Sequence, residues 1–113
     1  METAAPAERA EQVTELGSLV TDRLTAVVNA YRQGDAQAAY TVWLHDTEVD
    51  ERHAGVLRDI IGGMVSQPET VADATHLLFI AKNLERIGDH ATNIAELVHY
   101  QITGADLADR PKL

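Results

Sequence analysis

Residues 77–96 read LLFIAKNLERIGDHATNIAE, and this stretch decides the fold. Apolar and small residues recur at alternating intervals of four and three, which predicts one packed face of a long α-helix. The repeat extends slightly beyond this stretch and comprises Leu77, Ala81, Leu84, Gly88, Ala91, Ala95, Val98 and Ile102. One flank of this face carries Ile80, Ile87 and Ile94, whereas the other flank is acidic. The stretch therefore predicts a helix that neighbouring helices can approach closely and whose two flanks differ in chemistry.

The preceding sequence predicts two further long helices. Apolar residues recur at helical intervals from Val13 to Tyr31 and predict helix one over about residues 7–33. Gly34 suits a helix stop, and Asp35 suits the N-cap of helix two, which we expect to run to about Ser66.

Pro68 is expected to open helix three, which Gly104 closes after about Thr103. We thus predict an all-α fold, an up-down-up three-helix bundle over residues 7–104, with disordered tails at 1–6 and 105–113. The pair Gly62 and Gly63 costs roughly 2 kcal/mol inside a helix relative to Ala, so helix two could end early there.

The composition restricts the classes of partner. Eighteen acidic and nine basic side chains give a formal net charge of −9, which repels phosphate backbones and argues against nucleic acid and acidic lipid. The longest apolar run covers residues 77–81, far short of the roughly 20 residues of a membrane span, so no membrane insertion is expected. The absence of Cys and of a signal-peptide pattern fits a cytoplasmic protein.

Two carboxylate pairs have the spacing of one helical turn. Asp46 and Asp50 lie on predicted helix two, and Glu85 and Asp89 lie on helix three, followed one turn later by Asn93. These pairs could face each other, and like charges about 6 Å apart repel by roughly 3 kcal/mol at an effective dielectric constant of 20. Raised pKa values, Arg partners, open solvent or bound cations could each offset this repulsion. Spacing alone favours a solvated acidic face over a metal site.

The histidines leave similar alternatives open. His53 follows Asp50 by three residues and could be a metal ligand, a core histidine or the partner of an acid. Glu96 and His99 have the Glu-x-x-His spacing of di-iron bundles, but such sites need two of these motifs, so a chance match is the better interpretation. The sequence contains no nucleophile elbow, phosphate loop or His-Glu-x-x-His motif, which predicts a protein that is not an enzyme.

The stretch 77–96, together with Asp46-Thr47-Glu48-Val49-Asp50, resembles the signature of the PhoU family of phosphate-signalling regulators. The resemblance covers about residues 16–103 and corresponds to the second of the two three-helix repeats usual in that family. It implies a site for clustered metal ions, reported as iron, zinc or other divalent ions, on the bundle surface. Matched position by position, the implied ligands are Asp46, Asp50, Glu85 and Asp89, with Asn93 as a weaker member.

The resemblance also implies a function. It predicts a metal-binding regulatory adaptor, a negative regulator of phosphate uptake that links the ATPase subunit of a phosphate transporter to a sensor histidine kinase. Iron, zinc, manganese or magnesium would be the cofactor, and a single repeat could form a homo-oligomer that restores six helices. Competing hypotheses are a carboxylate-bridged di-metal enzyme, a purely structural helical module, and a phosphotransfer domain that uses His90.

Overall fold

The computed structural model describes the backbone of residues 6–107 and the side chains of residues 8–107. The helices are α1 (Pro6–Gln33), α2 (Ala36–Leu44), α3 (Asp46–Ser66) and α4 (Val71–Thr103), with a short 3-10 turn at Pro68–Thr70 before α4. The described part of the chain contains no strand, which confirms the predicted all-α class. The predicted tails at 1–6 and 105–113 lie mostly outside the described residues, although Leu107 packs against the core.

The predicted helix two is wrong in one respect, because the structure divides it at His45. This residue has φ −98° and ψ 18°, and it ends α2 and precedes α3. Its backbone N–H donates to the Thr41 carbonyl, and its ring Nδ1 lies 2.9 Å from the same oxygen. Asp46 and Glu48 then occupy the first turn of α3, where negative charge stabilises a helix N-terminus. The break therefore has local causes that need neither Pro nor Gly.

The other turns follow the predicted chemistry. Gly34 adopts φ 64°, and the Asp35 side chain caps α2 by accepting a hydrogen bond from the Ala38 N–H at 3.0 Å. Gly104 adopts φ 73° and ends α4, as predicted. The first turn after Pro68 is a 3-10 turn, from which α4 continues without a break to Thr103.

The core consists of two apolar clusters arranged along the bundle, and α1 and α4 contribute to both. The first cluster contains α3 residues and comprises Val13, Leu16, Val20, Val49, Val56, Ile60, Ala74 and Ala81. The second contains α2 residues and comprises Val27, Ala30, Ala39, Val42, Trp43, Ala91, Ala95 and Val98. The break at His45 thus separates the helix that packs on one cluster from the helix that packs on the other.

Helix α3 continues through Gly62 and Gly63, so the pair does not end it early. Gly63 is buried, and a Cβ atom there would overlap the guanidinium group of Arg9, which is itself buried. The glycine therefore allows α1 to place an arginine against α3 near the end of the bundle. Among the described residues, no helix is long and apolar enough to cross a membrane.

Candidate metal centre

Three carboxylates from α3 and α4 come together on the bundle surface. Asp46 is the first residue of α3, Asp50 lies one turn later, and Asp89 lies near the middle of α4. One oxygen from each of the three carboxylates lies within 4.8 Å of the other two. Asp46 is half-buried, whereas Asp50 and Asp89 are exposed, so the group lies at the boundary between the protein and the solvent.

The close approach of α3 to α4 depends on Gly88. This residue is buried one position before Asp89, and a Cβ atom on it would lie 3.0 Å from Cγ1 of Val49. That distance is at the short limit of side-chain contact, so a larger residue would push the two helices apart. A small residue inside α4 therefore sets the separation between the carboxylates of the two helices.

Thr92 orients Asp46, the half-buried member of the group. Its hydroxyl donates a hydrogen bond to Oδ1 of Asp46 at 2.6 Å, and it also lies 3.1 Å from the Gly88 carbonyl oxygen. Thr92 is 7% exposed, so the donor of this partly buried bond is shielded from water. Sequence analysis did not single out Thr92, although its place on the core side of α4, three residues after Asp89, was a usable signal.

The electrostatics of the group raise the pKa of Asp89 above its ordinary value. Partial burial contributes most, and the neighbouring charges of Asp46 and then Glu85 add to it. Each of these factors disfavours the ionised carboxyl group. The group therefore concentrates negative charge that a proton or a cation can offset.

Glu85 lies one turn before Asp89, but its carboxylate is engaged elsewhere. It accepts from Lys82 Nζ at 2.7 Å and from His53 Nδ1 at 2.8 Å. The hydrogen bond from Lys82 is the main factor that lowers the pKa of Glu85, and His53 contributes further. Of the alternatives for His53, the structure shows the partner of an acid, and that acid is Glu85. The His53 Nε2 atom is buried and has no hydrogen-bond partner among the described residues.

The five predicted ligands therefore fall into three groups. Asp46, Asp50 and Asp89 converge, Glu85 is adjacent but ion-paired, and Asn93 lies exposed on α4 one turn after Asp89. A set of carboxylate oxygens suits hard cations, and three such ligands leave coordination positions for water or further groups. The assignment of these residues as metal ligands stays a prediction.

Comparison with known proteins gives a consistent picture. The family model described as PhoU domain matches residues 13–98. A phosphate-specific transport system accessory protein PhoU homolog from Caulobacter vibrioides is 50% identical over 102 residues, which cover 89% of this chain and 44% of the relative. Proteins of the same description from Rhizobium meliloti and Pseudomonas aeruginosa are 38% and 34% identical, over 95% and 85% of this chain and 46% and 40% of the relatives.

The chain thus spans a little under half the length of these curated relatives. The comparison with solved structures gave no match. Because the family model covers most of the chain, including both acidic motifs of α3 and α4, the chain belongs to the PhoU family.

Proposed function

We propose that this chain is a metal-binding regulatory adaptor that acts in the negative regulation of phosphate uptake and signalling through protein partners. The relatives are named as accessory proteins of phosphate transport, which supports a role beside a transporter. The observation that carries the proposal is the convergence of Asp46, Asp50 and Asp89 from two helices.

The donor set fits a hard cation. Three carboxylates within 4.8 Å repel each other. The hydrogen bond from Thr92 keeps the Asp46 carboxylate close to the other two despite this repulsion. A cation bound here would supply positive charge that offsets the repulsion and ties the first turn of α3 to α4. Iron, zinc, manganese and magnesium are the candidates, and an all-oxygen ligand set suits manganese or magnesium better than zinc.

Thermal unfolding in the presence of each metal tests the site. A ligand that binds only the native state at 100 times its Kd stabilises that state by about 2.7 kcal/mol, which is roughly 10–20 °C in Tm for a domain of this size. We expect such a rise with the correct ion. The double variant Asp46→Asn with Asp89→Asn should abolish the rise and should stabilise the metal-free protein, because it removes charge repulsion.

A matched control is the double variant Asp22→Asn with Asp73→Asn, which changes the net charge equally at exposed positions on α1 and α4. This control should respond to metal like the parent protein. If the variant at Asp46 and Asp89 also responded like the parent, these residues would not be the ligands. Metal analysis of protein purified without chelators or immobilised nickel would identify the ion.

The partners that we propose are the ATPase subunit of a phosphate transporter and a sensor histidine kinase, bound through helix faces. A protein of net charge −9 associates best with basic surfaces, and salt weakens such association. Titration of each partner at two salt concentrations tests this proposal. Lack of binding to either partner, with this chain and with a two-repeat relative, would overturn the adaptor role.

A non-enzymatic role is part of the proposal. The carboxylates lie at the bundle surface, and the histidine beside them, His53, is buried and held by Glu85. Phosphoester turnover with added manganese or iron should therefore stay at the level of the double variant Asp46→Asn with Asp89→Asn. Turnover that this variant abolished would establish a di-metal enzyme instead.

A further inference from the structure

The ammonium group of Lys82 lies beside the acidic motif of α4, which consists of Glu85 and Asp89. Its Nζ atom is 2.7 Å from Oε1 of Glu85. Burial above all raises the pKa of Asp89, and the positive charge of Lys82 partly opposes that rise. Lys82 lies seven residues before Asp89, so the two residues are on the same side of the helix to within about 20°. A positive charge of this chain therefore stands where a cation bound to Glu85 would lie.

The other oxygen of Glu85 is held from α3. Nδ1 of His53 lies 2.8 Å from Oε2 of Glu85, and both side chains are largely buried. The side chain of Lys82, in contrast, is 53% exposed. Both oxygens of Glu85 thus have a close partner from this chain, and Lys82 is the partner on the solvent side. A metal ion that approached Glu85 from solvent would meet Lys82 first.

The three converging aspartates lie farther from Lys82 than Glu85 does. Thr92, which donates its hydrogen bond to Asp46, follows Lys82 by ten residues, or about 15 Å along α4. Oxygens of Asp46, Asp50 and Asp89 lie within 4.8 Å of one another, and the carboxylate of Glu85 does not belong to this group. The acidic surface therefore has two parts, one at the three aspartates and one at Glu85, and Lys82 contacts only the second.

We propose that Lys82 excludes a metal ion from Glu85, so that this chain binds a single ion at the three aspartates and not a cluster of ions. The inference rests on the proposed metal site and specifies how many ions it holds. It differs from the clustered ions that the family resemblance implies. Because two-metal hydrolysis needs two ions about 3.5–4 Å apart, the limit also explains why this acidic surface suits regulation and not catalysis.

The exclusion has a simple electrostatic cause. Lys82 precedes Glu85 by three residues, so the two side chains are neighbours on the helix surface even when their ion pair is broken. A divalent ion at Glu85 would therefore have to displace the ammonium group from Oε1 and would then remain close to it. Repulsion between the two cations weakens the binding of that ion, whereas an ion at the three aspartates is farther from Lys82 and is less affected.

Titration of the full chain with Mn²⁺, followed by calorimetry and equilibrium dialysis, tests the proposal. We expect the parent to bind one ion per chain and Lys82→Met to bind two, with the Kd of the second ion at least about tenfold lower than in the parent. Met has nearly the helix propensity of Lys, and position 82 is exposed, so the helical circular dichroism should not change. The double variant Lys82→Met with Glu85→Gln should return to one ion, because it lacks the ligand of the second.

Two controls separate the position of the charge from its mere presence. Lys82→Arg keeps a cation beside Glu85 and should bind one ion, like the parent. Arg86→Met removes the same charge from an exposed position of the same helix and should also bind one ion. Two Mn²⁺ ions that share Asp89 would lie close enough for their spins to couple. The electron paramagnetic resonance spectrum of Lys82→Met should therefore broaden at saturation, which a purely structural role of Lys82 would not produce.

The possible outcomes distinguish this inference from the proposed metal site. Two or more ions on the parent, or equal numbers on the parent and Lys82→Met, would overturn the exclusion by Lys82. A parent that binds no ion would overturn the metal site at the three aspartates. In that case, one ion gained by Lys82→Met and lost again with Glu85→Gln would still support the exclusion, whereas no gain would overturn it as well.

Discussion

The two sides of α4 present opposite chemistry to two different neighbours. On the acidic side, α3 approaches closely over Gly88, and side-chain bonds from Thr92 to Asp46 and from His53 to Glu85 join the helices. On the other side, Ile87 and Ile94 are exposed beside α1. The charged side is thus joined to α3 by side-chain hydrogen bonds, whereas the side beside α1 leaves two isoleucines exposed. The difference shows that small residues and polar contacts, as well as apolar burial, position α4 against its neighbours.

The largest effect on this comparison should come from Gly88→Leu. The added side chain would press against Val49 at the closest approach of α3 and α4, and overpacking of this kind costs roughly 2–3 kcal/mol. Urea unfolding measures the loss. The control Gly55→Leu on α3 meets only Arg58 Nη2, at an ordinary 3.6 Å, and should be neutral or stabilising. Equal losses for both variants would mean that helix separation at Gly88 is unimportant.

A smaller effect is expected from Thr92→Val, which keeps the shape of the buried side chain but removes its hydroxyl. Asp46 then loses a partly buried hydrogen bond, which should lower the free energy of unfolding by about 1–2 kcal/mol. Thr92→Ser keeps the hydroxyl, and it should retain most of the cation-induced rise in Tm that Thr92→Val weakens. If both variants responded equally to metal, the orientation of Asp46 by Thr92 would have no role in the site.

Asp89→Asn should change the stability of the metal-free protein by only a few tenths of a kcal/mol, because this residue is exposed. The raised pKa means that the folded state holds the proton of Asp89 more tightly than the unfolded state does. This contribution is present below the ordinary pKa of 3.8 and is lost as the pH rises through the folded-state pKa. The variant should therefore be more stable than the parent at pH 7 and should lose that advantage at pH 3, as measured by thermal unfolding.

A comparably small effect is expected from Ile87→Gln on the side of α4 beside α1. Ile87 is 41% exposed, so the substitution should change the free energy of unfolding of the monomer by no more than about 0.5 kcal/mol. Urea unfolding measures this change. A loss above 1 kcal/mol would show that this side of α4 belongs to the monomer core and would remove the contrast between the two sides.

Most of the fold could be predicted because its signals are local. Gly34, Pro68 and Gly104 have backbone preferences that favour a helix end, Asp35 has a capping side chain, and the structure places helix ends at all four. The break at His45 could not be predicted from apolar spacing. The helical periodicity continues across this residue, and neither Pro nor Gly interrupts it. It arises from weak preferences that act together, namely the His45 contact with Thr41 and the acidic first turn of α3.

The candidate site could be predicted less completely. Spacing and family resemblance bring Asp46, Asp50 and Asp89 to one place, since helix periodicity fixes the side on which each residue lies. Spacing and resemblance do not determine the side-chain conformation of each carboxylate or the partner that it binds. Glu85 shares that side of α4, but Lys82 and His53 hold its two oxygens, a competition that depends on the three-dimensional separation of α3 and α4.

The contact between Arg9 and Gly63 couples the side chains that these two positions can accept. The guanidinium group occupies the volume that any side chain at position 63 would need, although 54 positions separate the two residues in the sequence. Among related chains, a larger residue at position 63 should accompany a shorter one at position 9, which would appear as covariation between the start of α1 and the end of α3. A chain that acquired only one of the two changes would pass through a less stable intermediate sequence.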